Sequence, residues 1–312
     1  MSHLVRFHTF CFASCAALLA FEGAALAADP QPPTIPAETV KANAATTGKT
    51  EVAKGGFATG ALPAAEDPAH ATEASIQAGG LFSAGNARTI ALTTAGKFRI
   101  RRDEHQFSAA ASANFARAGK SGTPVETTVE NYQGLARYDY FILEPVALFF
   151  QSSARRDRFQ GLDLRLNFDP GAAYYFINTK KQSLRAELGY DLQHDIRRDA
   201  SRRVQAAAPA DGSPAPPPTF LDKTQTLHNV RTFLGYENKL YEGVGFVTSF
   251  EYLQNVSDLG TYRLIFDVGL KTNISTNLAI ATTYTMRFEN KPLPTVEKAD
   301  SIASINLVYT LF

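Results

Sequence analysis

The chain has 312 residues, with 31 basic against 30 acidic side chains, a net charge of +1 and 45% hydrophobic residues. That balance leaves no basic face for nucleic acid. Its only two cysteines, Cys11 and Cys15, both fall near the N-terminus, so the rest of the chain has neither a disulfide framework nor a thiolate metal site.

The N-terminus reads as a secretory signal. Arg6 supplies the positive charge, Phe10 to Phe21 form an apolar run, and Ala25-Leu26-Ala27 offers a small-x-small cleavage site. Cleavage is expected after Ala27. Glu22 and Gly23 end the run short of a bilayer span, which disfavours a retained helix. Cys15 follows Phe12-Ala13-Ser14, a superficial match to a lipidation site, but Phe fits its first position poorly and the apolar run continues past the cysteine. Residues 28–73 are rich in Ala, Pro, Thr, Lys and Gly with almost no aromatics, and they are expected to form a disordered periplasmic leader.

From Ala74 onward, aromatics become frequent and polarity alternates. Ile90, Leu92, Thr94, Gly96, Phe98 and Ile100 lie on one parity, and Thr89, Thr93, Lys97 and Arg99 on the other. The same alternation sets Leu162, Leu164, Leu166 and Phe168 against Asp163, Arg165, Asn167 and Asp169. It returns in Leu184–Leu192, Tyr262–Leu270 and Leu278–Phe288. A period of two over such lengths specifies strands with one apolar and one polar face. Many runs exceed the five or six residues usual in soluble sheets and suit a membrane span. No later stretch approaches the length of an apolar membrane helix, so any crossing must use strands closed into a barrel.

Strands are expected at 74–85, 87–101, 105–117, 126–141, 146–155, 161–177, 182–195, 224–238, 244–255, 260–272, 277–289 and 299–312. The fold class is therefore all-β: a transmembrane antiparallel up-and-down β-barrel of about 12 strands. Short links alternate with mostly longer ones, the longest spanning 195–224. This is the asymmetry of periplasmic turns facing outer loops. Gly85-Asn86 is the exception, a tight first hairpin on the long-loop side. An even strand count puts both barrel ends in the periplasm, with the protein in the bacterial outer membrane.

The segment Asp157-Arg158-Phe159-Gln160-Gly161-Leu162-Asp163-Leu164-Arg165-Leu166, with Gly171 and Tyr174-Tyr175, sharpens the identification. Together with Gly85-Asn86 and the closing Lys298–Phe312, it resembles the outer-membrane proteins called domain of unknown function 481, often described as salt-induced outer-membrane proteins. The resemblance covers roughly Ser75 to Phe312. It implies a barrel with no established activity and no catalytic residues to carry over. The leader and the Pro-rich stretch around Pro209–Pro218 look like additions to that pattern. Phe312 supplies the terminal aromatic that barrel-assembly machinery reads in bacterial barrels as a class, although Thr310 stands where a tyrosine is usual.

The polar parity supplies the candidate residues. Lys97, Arg99, Arg137, Asp139, Asp163, Arg165, Asp169, Arg185, Glu187, Asp191, Arg231, Glu251, Arg263, Asp267, Lys271 and Arg287 are expected to face the lumen. A twelve-strand barrel has a backbone radius of roughly 12 Å, which leaves a narrow bore after side chains. Two readings stand side by side: a pore selecting small polar solutes or ions, and a salt-bridged plug in a structural envelope protein. Arg155, Arg156 and Arg158, placed in an outer loop, could meet lipopolysaccharide phosphates or simply be solvated. Tyr138, Tyr140, Tyr174, Phe176, Tyr236 and Tyr241 suit an interfacial girdle.

The rival function is a barrel enzyme acting on lipid or lipopolysaccharide. Of the histidines beyond the signal, His70, His105, His194 and His228, none has a serine two residues away on its own strand face. His194 and His228 flank the 195–224 loop and could approach each other, but two histidines are a weak metal signal. A receptor or adhesin using that loop is a third reading, disfavoured by its Ala/Pro composition. No cofactor, metal or nucleic acid is expected. The expected partners are outer-membrane lipid, lipopolysaccharide and assembly machinery, with the barrel acting as a monomer.

Overall fold

The computed structural model describes residues 70–84, 87–120, 122–205, 215–294 and 296–311. The expected signal sequence, the expected leader up to residue 69, the expected Gly85-Asn86 hairpin, residues 206–214 and Phe312 lie outside the described residues.

The strands in chain order are β1 (His70–Ser83), β2 (Ala87–Arg102), β3 (His105–Lys120), β4 (Glu126–Leu143) and β5 (Val146–Asp157). β6 (Leu162–Asn178) and β7 (Gln182–Arg197) follow, then a 3-10 turn (Asp199–Ser201) and two short strands, β8 (Arg203–Val204) and β9 (Thr219–Phe220). The wall resumes with β10 (Thr224–Tyr241), β11 (Val244–Asn255), β12 (Tyr262–Asn273), β13 (Leu278–Glu289) and β14 (Ala299–Thr310). β8 and β9 pair with each other. The remaining twelve close an antiparallel barrel in the order β1-β14-β13-β12-β11-β10-β7-β6-β5-β4-β3-β2.

The expected strands are present, with ends shifted by at most a few residues. β1 begins at His70, ahead of the anticipated end of the leader, because Ala71, Glu73 and Ser75 already face inward against β2. The turns after β2, β4, β6, β10 and β12 are short and lie at one end of the barrel, and the mostly longer loops lie at the other. Gly243, in the β10–β11 turn, has φ +76°, a conformation that favours glycine there.

Burial is inverted relative to a soluble sheet. Ile90, Leu92, Phe150, Leu188, Leu234, Ile280 and Leu307 point outward and are exposed, while most inward positions are polar or charged. An apolar belt around a polar interior is the pattern of a barrel set in lipid. Two apolar patches line the inside near the short-turn end: Phe141, Ala147, Phe149 and Ala173 pack together with Tyr175 against them, and Ala279, Ala281 and Val308 form a smaller group.

The wall is not uniform. Among the described residues β1 and β14 share four paired positions, from Ser75↔Thr310 to Ala78↔Leu307, whereas β1 and β2 pair along their whole length from His70↔Arg102 to Ser83↔Thr89. In β6, Pro170 lacks an N–H, and the ladder to β7 skips from Phe168↔Leu192 to Gly171↔Gly189.

Candidate functional site: a charged bar across the bore

Two glycines and a phenylalanine prepare the middle of the barrel. Gly171 of β6 and Gly189 of β7 carry no side chain into the bore, and the ring of Phe149 from β5 occupies the space. A Cβ on Gly171 would meet Phe149 Cζ at 2.5 Å and the Leu188 carbonyl oxygen at 2.7 Å. Arg137 of β4 lies across that ring, its guanidinium carbon 4.1 Å from the centroid. It thereby passes over β5 and β6 and reaches Glu187 on β7.

Glu187 is the hub. Its carboxylate accepts from Arg137 Nη1 at 2.9 Å, Arg185 Nε at 3.0 Å and Arg231 Nη1 at 2.8 Å. Arg137 also grips Asp139, with Nη2 2.7 Å and Nε 2.9 Å from Oδ1. Arg231 continues to Glu251, Nε to Oε1 at 3.4 Å. The sequence Asp139–Arg137–Glu187–Arg231–Glu251 therefore runs from β4 to β11, five strand steps around a ring of twelve. That is close to a diameter. Arg231, Asp139 and Glu251 are at most 1% exposed, so these side chains fill the section.

The bar does not satisfy all of its own atoms. Arg231 Nη2 and Glu251 Oε2 are buried and have no hydrogen-bond partner among the described residues, and the same holds for Arg263 Nη1 nearer the long-loop end. Charged atoms left in that condition are costly unless water reaches them.

The expected inward set is largely inward. Lys97, Arg165, Asp169, Asp191, Arg263, Asp267, Lys271 and Arg287 are buried inside the barrel, and Arg99 and Arg185 are partly buried there. Arg165 pairs in two-point fashion with Asp195, at 2.7 Å for each bond. Arg99 does the same with Glu73, at 2.9 and 2.7 Å. Asp169 accepts from Gln151, Asp191 from Asn167 and Asn229, and Asp267 from Thr285.

Asp163 corrects the expectation. The register shifts between Leu162 and Leu164, so Leu162 is the buried residue, while Asp163 stays half-exposed at the rim beside Lys223 and Arg198. A bulge inserts one residue and reverses the parity before it. Arg155 is also misplaced by sequence reasoning. β5 runs on to Asp157, which carries Arg155 inside the barrel, where it binds the Asp157 carboxylate at 2.7 Å. Arg158 pairs instead with Glu130 at 3.3 Å, so the three arginines do not form one outer cluster.

Sequence reasoning missed Gln160. The turn after β5 is held by Asp157, whose Oδ1 accepts the backbone N–H of Phe159 and Gln160 at 3.0 Å each. Gln160 then reaches inward and accepts from Arg287 Nη1 at 3.1 Å, on the strand six steps away. Gly161, with φ +72°, packs so closely that an added Cβ would sit 2.6 Å from Ser201 Cβ and 3.0 Å from Leu293 Cδ1. Three loops thus converge over the bore at the long-loop end.

The neighbouring loops are tied by Asp258, which accepts from Lys291 Nζ at 2.6 Å and Thr261 Oγ1 at 2.7 Å. The Lys291 and Thr261 donors hold its carboxyl down to about 2, from an ordinary 3.8. A depressed carboxyl stabilises the fold above the ordinary value and loses that contribution as pH falls through the lowered one. The 256–261 loop is therefore expected to stay tethered at mildly acidic pH and to loosen only towards about pH 2. Limited proteolysis across a pH series with an acid-tolerant protease checks this, and loosening already near pH 5 would contradict it.

The histidines point outward or sit at the rim. His105 bonds Tyr138 at 2.6 Å, His194 bonds Thr226 at 2.9 Å, His228 bonds Tyr190, and His70 meets Asp103 at 3.2 Å. None of these partners is a serine. Among the described residues no group of three or more His, Cys, Asp or Glu is placed to hold a metal. Tyr138, Tyr140, Tyr174, Phe176 and Tyr241 are exposed near the short-turn end, as a girdle requires, and Tyr236 is half-buried.

A family model described as "Protein of unknown function, DUF481" matches residues 76–311. No curated protein matches the chain. Among solved structures, an outer membrane channel from Pseudomonas putida F1 is similar at TM-score 0.43 and 12% identity, covering 78% of this chain and 96% of that one. The NanC porin is similar at TM-score 0.41 and 9% identity, covering 76% and 97%. The translocator domain of the autotransporter NalP from Neisseria meningitidis is similar at TM-score 0.38 and 12% identity, covering 76% and 86%.

Proposed function

Because the chain belongs to the DUF481 family of proteins of unknown function, which brings no activity with it, we propose from the geometry that it is an outer-membrane barrel serving as a narrow conduit for small polar solutes or ions. Its resting bore is closed by side chains. The apolar belt supports residence in lipid, and the short turns and longer loops would face the periplasm and the exterior. The observation that carries the conduit reading is the Arg137–Glu187–Arg231 bar. It is built wholly of rotatable side chains, so the closure can be relieved without moving the wall. Rotation of Arg137 or Arg231 away from Glu187 would open a path for small ions.

Planar-bilayer recording of the purified barrel is the test. Small, discrete conductance steps are expected, and Arg137→Ala should raise the step roughly two-fold or more, since it removes the arm that crosses β5 and β6. Silence from both proteins under varied salt and voltage would overturn the conduit. A structural envelope role is the second reading. The same bar favours it, since buried ion pairs brace the wall from inside. It predicts bilayer silence together with a large loss of barrel stability when the hub is altered. An enzyme acting on lipid has less support, since His105, His194 and His228 are engaged by Tyr138, Thr226 and Tyr190.

A further inference from the structure

We propose that the short-turn mouth holds a binding site for a small oxyanion, carboxylate or phosphate, with Lys271 as its principal charge. Lys271 lies on β12 at the inward parity of Arg263, Ile265 and Asp267, and only 5% of it is exposed. Its ammonium makes no hydrogen bond or ion pair among the described residues and is left to the space at the mouth, where a ligand can reach it. The acids in range are already engaged. Glu73, whose charge reaches Lys271, is held at two points by Arg99. Asp267 accepts from Thr285 at 2.6 Å and Ser249 at 3.4 Å. Glu237 faces Arg185 at 3.7 Å.

Lys271 lines a cavity of about 240 Å³ at this mouth, between the β6–β7 turn and the ends of β10, β11 and β12. Gly245 faces the bore on β11 and adds no side chain to the space. Lys181 and Lys239 bring two further cations, Ser183, Asn238 and Asn273 bring neutral donors, and Glu237 and Glu242 are the acids in the lining. A cavity below roughly 300 Å³ suits an ion or a very small organic acid rather than a larger ligand. A phosphate or carboxylate seated there would accept from the Lys271 ammonium in a charge-assisted bond and supply the direct partner that no described side chain provides. This site goes beyond the conduit reading and stands whether or not the bore conducts.

Titration calorimetry on the full-length barrel in detergent tests it, with inorganic phosphate in one arm and acetate in the other. Saturable binding is expected in at least one arm, and the arm that responds identifies the oxyanion. Lys271→Gln should weaken it tenfold or more, Lys271→Arg should keep it, and Lys223→Gln at the opposite end should leave it unchanged. Absence of saturable binding in both arms, or equal affinity in the wild type and Lys271→Gln, would overturn the site. A heat-modifiable gel shift confirms that each variant is folded. Bilayer silence with intact binding would remove the conduit and leave the site standing.

Discussion

Replacing Glu187 with glutamine is expected to cost about 3–5 kcal/mol of barrel stability, the usual consequence of breaking a buried ion pair from one side. The change is nearly isosteric, so the loss is one of charge and not of packing. One carboxylate serves Arg137, Arg185 and Arg231, and an amide would turn an N–H towards guanidinium groups that can only donate. Arg137 would keep Asp139. Of its ion pairs, Arg231 would keep the longer one to Glu251, at 3.4 Å, in a place where it is fully buried. Burial is what makes the effect large, since an exposed pair would be worth about 1 kcal/mol or less. The chain has no tryptophan, so unfolding in urea is best followed by far-UV circular dichroism or by the gel shift of the folded barrel. A loss under about 1 kcal/mol would mean that the hub is solvated.

Gly171→Ala is expected to cost about 1–3 kcal/mol, the range for overpacking a filled interior. The added methyl would meet Phe149 Cζ at 2.5 Å, the Leu188 carbonyl oxygen at 2.7 Å and Gly189 Cα at 2.9 Å. Two of those atoms are backbone of β7 and cannot rotate away. The ring can move, but Arg137 rests on it, so relief at Phe149 misaligns the arm that reaches Glu187. The same mutation should therefore change conductance as well as stability. Gly96→Ala is the control, because its methyl would find only the Ser75 carbonyl oxygen at 3.9 Å. Equal stability of the two variants in urea would mean that the Phe149–Gly171 contact supports nothing.

The wall was legible in the sequence because period two is a local signal. Each of Lys97, Arg137, Arg231 and Asp267 could be assigned to the inside from its neighbours alone. What crosses the bore was not legible. Nothing near Arg137 announces that its partner is Glu187, or that Gly171, read beforehand only as part of a family resemblance, clears the way for the Phe149 ring. Asp163 and Leu162 exchanged faces because a bulge breaks parity without altering composition. Gln160 looked like a loop residue. It is drawn inward by the Asp157 turn, and its partner Arg287 lies 127 residues further along the chain. His70–Glu73 lack aromatics and so resembled the leader, yet Glu73 binds Arg99 at the start of β1.

The short seam between β1 and β14 bears on how the cylinder comes to exist. Joining Ser75 to Thr310 closes the longest loop in the barrel, and the entropic cost of closure grows with the length of chain enclosed. Few rungs repay it. β14 can therefore dock productively only on a sheet that is already curved, with its other edge held by β13 along Leu278↔Tyr309 to Phe288↔Ala299. The seam is therefore expected to be the last joint to close, and when the finished barrel breathes, the amide protons shared between Ser75–Ala78 and Leu307–Thr310 should be the first of the wall to exchange.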